Sequence, residues 1–313
     1  MRAPPRLDPA LTAWIDGLPP APSLEDLPPA EARAVMAAAV RGRSPLPGVT
    51  VLALETAGAA APLRARLVVP DNADGSALVW FHGGGFILGD ADTHGELCER
   101  LSLRTGASVI AVNYRLAPEH PFPAAHDDAL ASLRWVFENA EMLGLDARRI
   151  MVGGDSAGGH LAAAAAFDLD SGPHRPIAQL LLYPVLQFHR ETPSMTAFAE
   201  GYVFTRKGVD WMRRLFFVAG APVKSSRTDL CQAALHRSAP PTVVVAAGFD
   251  PLRDEARLFA SRLARRGGRV AFLEATDLIH GFGRLSDVSA VAEAALAEAA
   301  DLLVSVSGGR KPA

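Results

Sequence analysis

The sequence has few cysteines and no large excess of charge of either sign. Only Cys98 and Cys231 are present among 313 residues, and they match no metal-ligand spacing. We therefore expect neither a disulfide framework nor a metal site. Two isolated cysteines are typical of a protein from a reducing compartment. The formal net charge is -3, which argues against a nucleic-acid partner, because such binders normally carry a basic excess.

Long apolar runs are absent as well. No stretch approaches the roughly 18 consecutive apolar residues of a membrane-spanning helix. The first ten residues, M-R-A-P-P-R-L-D-P-A, contain no apolar core of a secretory signal. We therefore expect no membrane partner and a cytoplasmic location. The 49% of hydrophobic residues in the chain is ample for one large core.

The chain does contain an alternation of short apolar runs and helical patterns. Several runs are apolar throughout, as are strands that are buried on both faces of a parallel sheet. Helix-forming stretches separate the later runs, which predicts an α/β fold. The predicted strands are Val49–Leu54, Arg64–Val69, Ala77–Phe81, Ser108–Asn113, Ile150–Gly154, Ala178–Tyr183, Thr242–Ala247 and Arg269–Glu274. The predicted helices are Ala30–Val40, His94–Arg104, Ala124–Ala140, Ala157–Phe167, Asp254–Arg266 and Val288–Val304.

Two parts of the chain do not fit this alternation. Residues 1–45 are rich in proline and alanine, and a long insertion separates the strand ending near Tyr183 from the strand starting at Thr242. The insertion contains one more predicted helix, Arg206–Val218, and many aromatic residues. Aromatic residues at helical spacing belong either to an ordinary core or to a cap over a pocket, and the sequence leaves both open.

Ser156 lies in a G-x-S-x-G frame between a predicted strand and a predicted helix, in the stretch M-V-G-G-D-S-A-G-G-H at 151–160. This is the setting of a nucleophile elbow, a sharp turn that exposes a serine hydroxyl beside a base and oriented N–H donors. The pattern alone also occurs by chance in loops rich in glycine. The interpretation of Ser156 as a nucleophile therefore depends on partners elsewhere in the chain.

A run of three glycines lies upstream, in the stretch V-W-F-H-G-G-G at 79–85. Such a run is either a flexible loop or a place where backbone N–H groups face a ligand with no Cβ in the way. An H-G-G-G loop supplies one half of the oxyanion hole in esterases, and the N–H after the nucleophile supplies the other. On this interpretation Gly83, Gly84 and Ala157 bind the oxyanion, and His82 organises the loop.

Two downstream residues complete the chain order serine, acid, histidine of the α/β-hydrolase triad. Asp250 follows an apolar strand and is either a helix N-cap or the acid that orients the catalytic imidazole. His280 lies in F-L-E-A-T-D-L-I-H-G-F-G, in a loop where a lone histidine would usually be solvated. The order Ser156, Asp250, His280 favours catalytic roles for all three. We assign Asp155 no triad role, because neighbouring side chains on a turn diverge.

Five motifs together resemble the hormone-sensitive-lipase-like family of bacterial carboxylesterases. They are H-G-G-G at 82–85, Y-R-L-A-P-E-H-P-F-P-A-A at 114–125, G-D-S-A-G-G at 154–159, D-P-L-R-D-E at 250–255 and H-G-F at 280–282. The resemblance covers nearly the whole chain from about residue 45. It implies an α/β-hydrolase fold, with an eight-stranded, mostly parallel sheet flanked by helices and a helical cap. The expected cap is residues 1–45 and 187–227, and the expected catalytic domain is residues 46–186 and 228–313.

The resemblance also implies roles and a reaction. Ser156 is the expected nucleophile, His280 the base and Asp250 its orienting acid, in acyl transfer from a small-molecule ester to water without metal or cofactor. A further segment is expected to brace the loops behind the oxyanion strand, and its residues are Tyr114, Arg115, Glu119 and Asp127 or Asp128. Family members often form dimers, so a homodimer is an expected assembly, although no sequence feature requires one.

Bulky residues near these motifs are candidates for the wall of a substrate pocket. They are Phe86, Leu88, Phe188, Phe198, Tyr202, Phe204, Trp211, Leu252, Ile279 and Phe282. Such crowding favours acyl chains of a few carbons, so we predict a serine carboxylesterase for short- to medium-chain acyl esters. Two other functions stay open: the same triad acting on an amide, carbamate or lactone, and a non-catalytic ligand receptor of the same fold.

Overall fold

An eight-stranded sheet forms the centre of the protein. The computed structural model describes residues 6–18, 23–218 and 224–309. All eight predicted strands are present, with bounds that differ from the prediction by up to five residues. They are β1 (Val49–Thr56), β2 (Leu63–Pro70), β3 (Ala77–Phe81), β4 (Ser108–Val112), β5 (Ile150–Asp155), β6 (Gln179–Leu182), β7 (Thr242–Phe249) and β8 (Val270–Ile279).

The sheet is mostly parallel, as predicted. Its strand order is β1-β2-β4-β3-β5-β6-β7-β8. Only β2 runs antiparallel to its neighbours β1 and β4, and the pairs from β4 through β8 are parallel. All residues of β3, β4, β5 and β6 are buried, as expected for strands covered on both faces. The loops after the parallel strands therefore meet at one edge of the sheet, where ligands bind in folds of this kind.

Helices cover both faces of the sheet. They are α1 (Pro9–Asp16), α2 (Pro29–Ala39), α3 (Gly95–Thr105), α4 (Ala124–Glu138), α5 (Ala157–Asp168), α6 (Pro193–Ala197), α7 (Arg206–Phe216), α8 (Leu230–Ala233), α9 (Arg253–Arg265) and α10 (Ala290–Ser307). One apolar cluster joins a sheet face to α4, α5 and α9. A second cluster joins the opposite face to α1, α3 and α10. The sequence did not predict α1, α6 and α8, because eight residues or fewer show too little periodicity.

Two covering segments contact the loops at the carboxyl edge of the parallel strands. We call residues 23–45 the N-terminal segment, and residues 187–218 with 224–227 the insertion. The segments also contact each other, because Lys207 of α7 pairs with Asp26 and the hydroxyl of Thr205 donates to Glu25 at 3.0 Å. Residues 1–5, 19–22 and 219–223 of the predicted cap, and 310–313 of the predicted catalytic domain, lie outside the described residues.

Candidate active site

Ser156 occupies a sharp turn between β5 and α5. Its backbone has φ 53° and ψ -117°, a region that a residue with a side chain seldom adopts and that marks a functional constraint. The turn brings the backbone of Gly158 so close to the end of β3 that an added Cβ would collide with the carbonyl oxygen of Phe81. The glycine at 158 thus lets α5 start directly against the sheet, and the serine stands at the tip of the turn.

Ser156, His280 and Asp250 are joined by hydrogen bonds. The Oγ of Ser156 lies 2.9 Å from Nε2 of His280, and Nδ1 of His280 lies 2.8 Å from Oδ2 of Asp250. Because a carboxylate only accepts, Nδ1 carries the proton and Nε2 is left to accept from the serine hydroxyl. The second carboxylate oxygen of Asp250 accepts from the amide of Leu252 at 2.8 Å. This arrangement can move the serine proton to the imidazole during an attack.

The sheet explains why residues so distant in sequence meet. Ser156 follows β5, Asp250 follows β7 and His280 follows β8, and these strands are parallel members of one sheet. Their carboxyl ends therefore face the same edge. Asp250 is fully buried and Ser156 is 7% exposed, so bulk water does not compete for their hydrogen bonds.

One residue of the glycine loop, Gly83, does not have the role that the sequence predicts. The amide of Gly83 donates to Oδ1 of Asp155 at 3.0 Å, so that it cannot donate to an oxyanion. In the described part of the chain, the amides of Gly84, Gly85 and Ala157 have no hydrogen-bond acceptor. The prediction of Gly83 as a donor is therefore corrected: the candidate oxyanion donors are Gly84, Gly85 and Ala157. A triple glycine in a sequence does not reveal which of its amides is already occupied.

Positive backbone dihedral angles turn the amides of this loop. Gly84 has φ 116° and Gly85 has φ 64°, conformations that favour glycine. A Cβ at Gly84 would collide with the carbonyl of Leu88. The first N–H groups of α5, including that of Ala157, carry the positive end of the helix dipole to the same place. The loop and the helix start can together receive a negatively charged oxygen.

His82 supports the glycine loop, the role expected from the sequence. Its Nδ1 donates to the carbonyl of Gly83 at 2.8 Å. Tyr114 stacks on its ring with centroids 4.3 Å apart, and the tyrosine hydroxyl donates to the carbonyl of His82 at 2.7 Å. Burial lowers the pKa of His82 to about 4, so the ring is neutral at neutral pH. A neutral ring that already donates to a carbonyl suits a supporting role.

The predicted bracing segment makes two separate ion pairs. Arg115 binds Asp128 with Nε at 2.8 Å and Nη2 at 2.9 Å. Glu119 pairs with Arg33 of α2 at 2.7 Å. The choice between Asp127 and Asp128 is resolved in favour of Asp128, because Asp127 pairs instead with Arg227 of the insertion. The segment thus connects the loop behind the oxyanion strand to the N-terminal segment.

Most predicted pocket residues are buried in the core. Phe86, Ile279 and Phe282 have no exposed surface and Leu252 is 1% exposed. A side chain without accessible surface cannot contact a substrate in this conformation, so the prediction that these four line the pocket is corrected to a place in the core. Phe188, Leu88 and Trp211 keep 3%, 6% and 9% of their surface.

The partly exposed candidates differ in what they contact. Phe198 and Tyr202 pack around Phe249. Phe204 instead stacks on the imidazole of His280, with ring centroids 4.3 Å apart and an interplanar angle of 25°. No feature of the sequence predicts this contact. Phe204 is thus a predicted pocket residue whose side chain contacts the triad directly.

Two features are absent from the described residues. In residues 6–18, 23–218 and 224–309, no three or more His, Cys, Asp or Glu side chains are grouped so that they could hold a metal ion. None of the helices described is long and apolar enough to cross a membrane.

Fold and site together define a class of protein. A mostly parallel sheet with a serine, a histidine and a carboxylate joined at its carboxyl edge is characteristic of α/β hydrolases. A profile of the family described as alpha/beta hydrolase fold matches residues 78–284, about two thirds of the chain. The chain belongs to this family, and the resemblance to hormone-sensitive-lipase-like carboxylesterases is confirmed.

Similar proteins are named as ester hydrolases. The chain is 35% identical over 309 residues to "Esterase LipI" of Mycobacterium tuberculosis, covering 93% of this chain and 92% of that one. It is 34% identical to "Ethyl acetate hydrolase" of Pseudomonas putida, covering 72% and 73%.

Solved structures of similar fold include an ester hydrolase from the metagenome of Lake Arreo. It is 36% identical, with a TM-score of 0.89 and coverage of 96% of this chain and 98% of that one. The esterase of Pyrobaculum calidifontis is 33% identical, with a TM-score of 0.86 and coverage of 96% and 98%.

Proposed function

We propose that the chain is a serine carboxylesterase that hydrolyses short- to medium-chain acyl esters through an acyl-enzyme on Ser156. One observation carries the proposal: a continuous hydrogen-bonded path leads from Ser156 through His280 to Asp250, with lengths of 2.9 and 2.8 Å. It lies beside the unoccupied amides of the glycine loop and α5. The names of the similar proteins support the same activity.

In the proposed reaction, Oγ of Ser156 attacks the ester carbonyl while Nε2 of His280 accepts its proton. Asp250 holds the tautomer in which Nε2 is free to accept. The tetrahedral oxyanion receives hydrogen bonds from the candidate donor amides, each of which is worth about 3 kcal/mol of barrier. The alcohol leaves with the proton from His280, and water then releases the acyl group by the same route. The proposed reaction uses no metal and no organic cofactor.

The test of this proposal is Ser156→Ala, assayed with p-nitrophenyl butyrate. We expect kcat to fall by about a factor of 10⁶, because removal of the nucleophile leaves only binding and the oxyanion hole. Ser261→Ala, an exposed serine on α9, is the matched control and should keep full activity. A Ser156→Ala enzyme that folds and retains most of its activity would overturn the proposal.

Two alternatives are outcomes of a second experiment. Rates on matched ester and amide substrates distinguish an esterase from an amidase with the same triad, and a carbamate and a lactone extend the series. A ligand receptor would bind such compounds without turnover. The hydrogen bonds on both nitrogens of His280 favour catalysis over a receptor.

We further propose a helical cap with bounds at residues 1–45 and 187–227, a range that includes the N-terminal segment and the insertion. Two contacts with the machinery support this division. Met212 of α7 lies beside Gly85, where an added Cβ would be 3.2 Å from its Cγ, and Phe204 stacks on His280. Bulky side chains this close to the reacting groups leave room for a small acyl chain. A cap with this placement supports the preference for short to medium chains.

We also propose a cytoplasmic location and a homodimeric assembly. The location is supported by Cys98 and Cys231, which are both buried as free thiols, as is usual in a reducing compartment. Burial raises the pKa of both thiols, so neither is a reactive thiolate. Light scattering of the purified protein would establish the assembly state.

A further inference from the structure

Asp155 is a buried carboxylate next to the nucleophile, and the reaction described above gives it no task. It is 3% exposed. Its Oδ1 accepts from the amide of Gly83 at 3.0 Å. A Cβ at Gly83 would collide with Oδ2 of Asp155, so the carboxylate lies directly against the backbone of the glycine loop. Asp155 therefore holds Gly83 in place, and Gly83 directly precedes the candidate oxyanion donors Gly84 and Gly85.

The second carboxylate oxygen of Asp155 faces a buried histidine. Nε2 of His94 lies 3.3 Å from Oδ2 of Asp155, and the two side chains are 2% and 4% exposed. Nδ1 of His94 lies 3.0 Å from the hydroxyl of Thr93 and 3.2 Å from the carbonyl of Asp90. The carbonyl and the carboxylate can only accept, so the ring faces acceptors on both sides. The ring is therefore placed to donate to Asp155.

The contact with His94 matters because Asp155 is charged. Burial raises the pKa of a carboxyl group, but the attraction and hydrogen bond of His94, together with the attraction of Arg284 and His82, lower the pKa of Asp155 below its ordinary value. The side chain is thus an ionised group within the protein. A buried negative charge disfavours the growth of another negative charge nearby. The oxyanion would form beside Gly84 and Gly85, the next residues along the loop.

We propose that Asp155 and His94 are positioning residues for the oxyanion hole. Asp155 fixes Gly83 and so directs the amides of Gly84 and Gly85, while His94 neutralises the carboxylate so that the site still favours an oxyanion. Neither side chain contacts the substrate. The inference rests on the proposed function, because it assumes that these amides bind a developing negative charge.

The first test is His94→Gln. Glutamine keeps an N–H donor for Asp155 but brings no charge. We expect kcat on p-nitrophenyl butyrate to fall at least about tenfold, less than for removal of a whole oxyanion donor because the amides stay in place, while KM changes less than about twofold. Affinity for an alkyl boronic acid, which forms a tetrahedral anion on a serine, should fall in parallel with kcat/KM. A purely structural role would not produce this separation of kcat from KM.

The double variant His94→Gln with Asp155→Asn supplies the decisive comparison. Asparagine keeps a carbonyl oxygen for the amide of Gly83 and removes the charge. The double variant should therefore recover most of the activity lost in His94→Gln, to within about threefold of Asp155→Asn alone, because the effects of residues in contact are not additive. Additive losses, or a His94→Gln enzyme with unchanged kcat, would overturn the proposal.

If His94→Gln does not fold, Asp155→Asn and Asp155→Ala test the loop directly. Alanine removes the acceptor for Gly83, so Asp155→Ala should lose at least about tenfold more kcat than Asp155→Asn. Equal kcat in the two variants would contradict the positioning role. The proposed function fails in a different way: either the wild-type chain hydrolyses no ester, or Ser156→Ala remains active.

Discussion

The triad and the covering segments meet at the same place but are held by different forces. Ser156, Asp250 and His280 each follow a parallel strand and are linked by hydrogen bonds of 2.8 to 2.9 Å. The insertion reaches the same groups through apolar contacts. Phe204 stacks on His280 at 4.3 Å, and Phe216 stacks on Phe86 at 4.0 Å.

This difference predicts how each region tolerates change. A hydrogen bond weakens steeply when its distance or angle is altered, whereas apolar contacts accept side chains of similar volume at small cost. The triad should therefore be intolerant of substitution. The apolar side chains of the covering segments should accept changes that alter the choice of substrate. Arg33 does not follow this pattern, because it connects the N-terminal segment to the loop by polar contacts.

Among the substitutions that test this comparison, the largest effect should come from Asp250→Asn. Asparagine fills the same space but can present an N–H to Nδ1 of His280, which stabilises the wrong tautomer for proton acceptance. We expect kcat to fall by about 10⁴ with little change in the melting temperature. Asp254→Asn, a nearby acid on α9 that pairs with Arg253 and Arg257, should keep nearly full activity. Similar losses in both variants would show that Asp250 has no special role.

The sequence predicted the strand-borne part of the site well. Apolar runs marked the strands, and the order of Ser156, Asp250 and His280 identified groups that one sheet edge must bring together. It did not predict which amides of the glycine loop are free, because that depends on the contact of Asp155 with Gly83. It assigned Phe282 to the pocket, since a motif shows that an aromatic residue is near the site but not which way it faces. Which groups meet across the sheet edge depends on the folded backbone and not on the local sequence.

Arg33→Met should break the polar connection between the cover and the oxyanion loop. Nε of Arg33 donates to the carbonyl of Ile87 at 2.7 Å, and Nη2 donates to that of Ala117 at 2.7 Å. The guanidinium also binds Glu119 and lowers the pKa of that carboxyl to about 2. Methionine keeps the apolar stem but leaves these acceptors unpaired. We expect the free energy of unfolding to fall by about 2 kcal/mol and kcat to fall several-fold.

Urea unfolding and steady-state assays measure the two effects of Arg33→Met. The control is Arg41→Met, which replaces an exposed arginine just after α2. If Arg33→Met matches the control in both measurements, the polar contacts of the N-terminal segment do not hold the loop.

A smaller effect concerns two buried histidines where the insertion returns to the catalytic domain. Nε2 of His126 and Nε2 of His160 lie 3.1 Å apart, and both face the carbonyl of Arg227. Burial lowers the pKa of His160 from 6.5 to about 4 and lowers that of His126 as well. Both rings are therefore neutral in the folded protein but take up protons when unfolded below pH 6.5. Their contribution to stability is present above this pH and is lost as the pH falls.

The expected slope is about 1.4 kcal/mol of unfolding free energy per pH unit for each such histidine. His160→Asn keeps a donor for the carbonyl of Val185, which Nδ1 contacts at 2.9 Å, and removes the titrating ring. Urea unfolding between pH 7 and pH 5 should show a shallower loss of stability in this variant. His236→Asn, an exposed histidine, should leave the slope as in the wild type. An unchanged slope in His160→Asn would mean that His160 does not contribute to the loss of unfolding free energy at acid pH.

The smallest effect should come from Phe204→Leu, which removes the aromatic face on His280 and keeps an apolar side chain. Loss of an aromatic pair costs about 1 kcal/mol, so we expect kcat/KM on p-nitrophenyl acetate to fall about fivefold. The smaller side chain should at the same time shift the preference toward longer acyl chains, measured over a series from acetate to decanoate. Phe198→Leu, whose ring packs on Phe249 and Arg253 instead, should change neither quantity. If kcat/KM fell as much in Phe204→Leu as in Asp250→Asn, the distinction between the triad and the covering segments would not hold. An apolar contact would then tolerate substitution no better than a catalytic hydrogen bond.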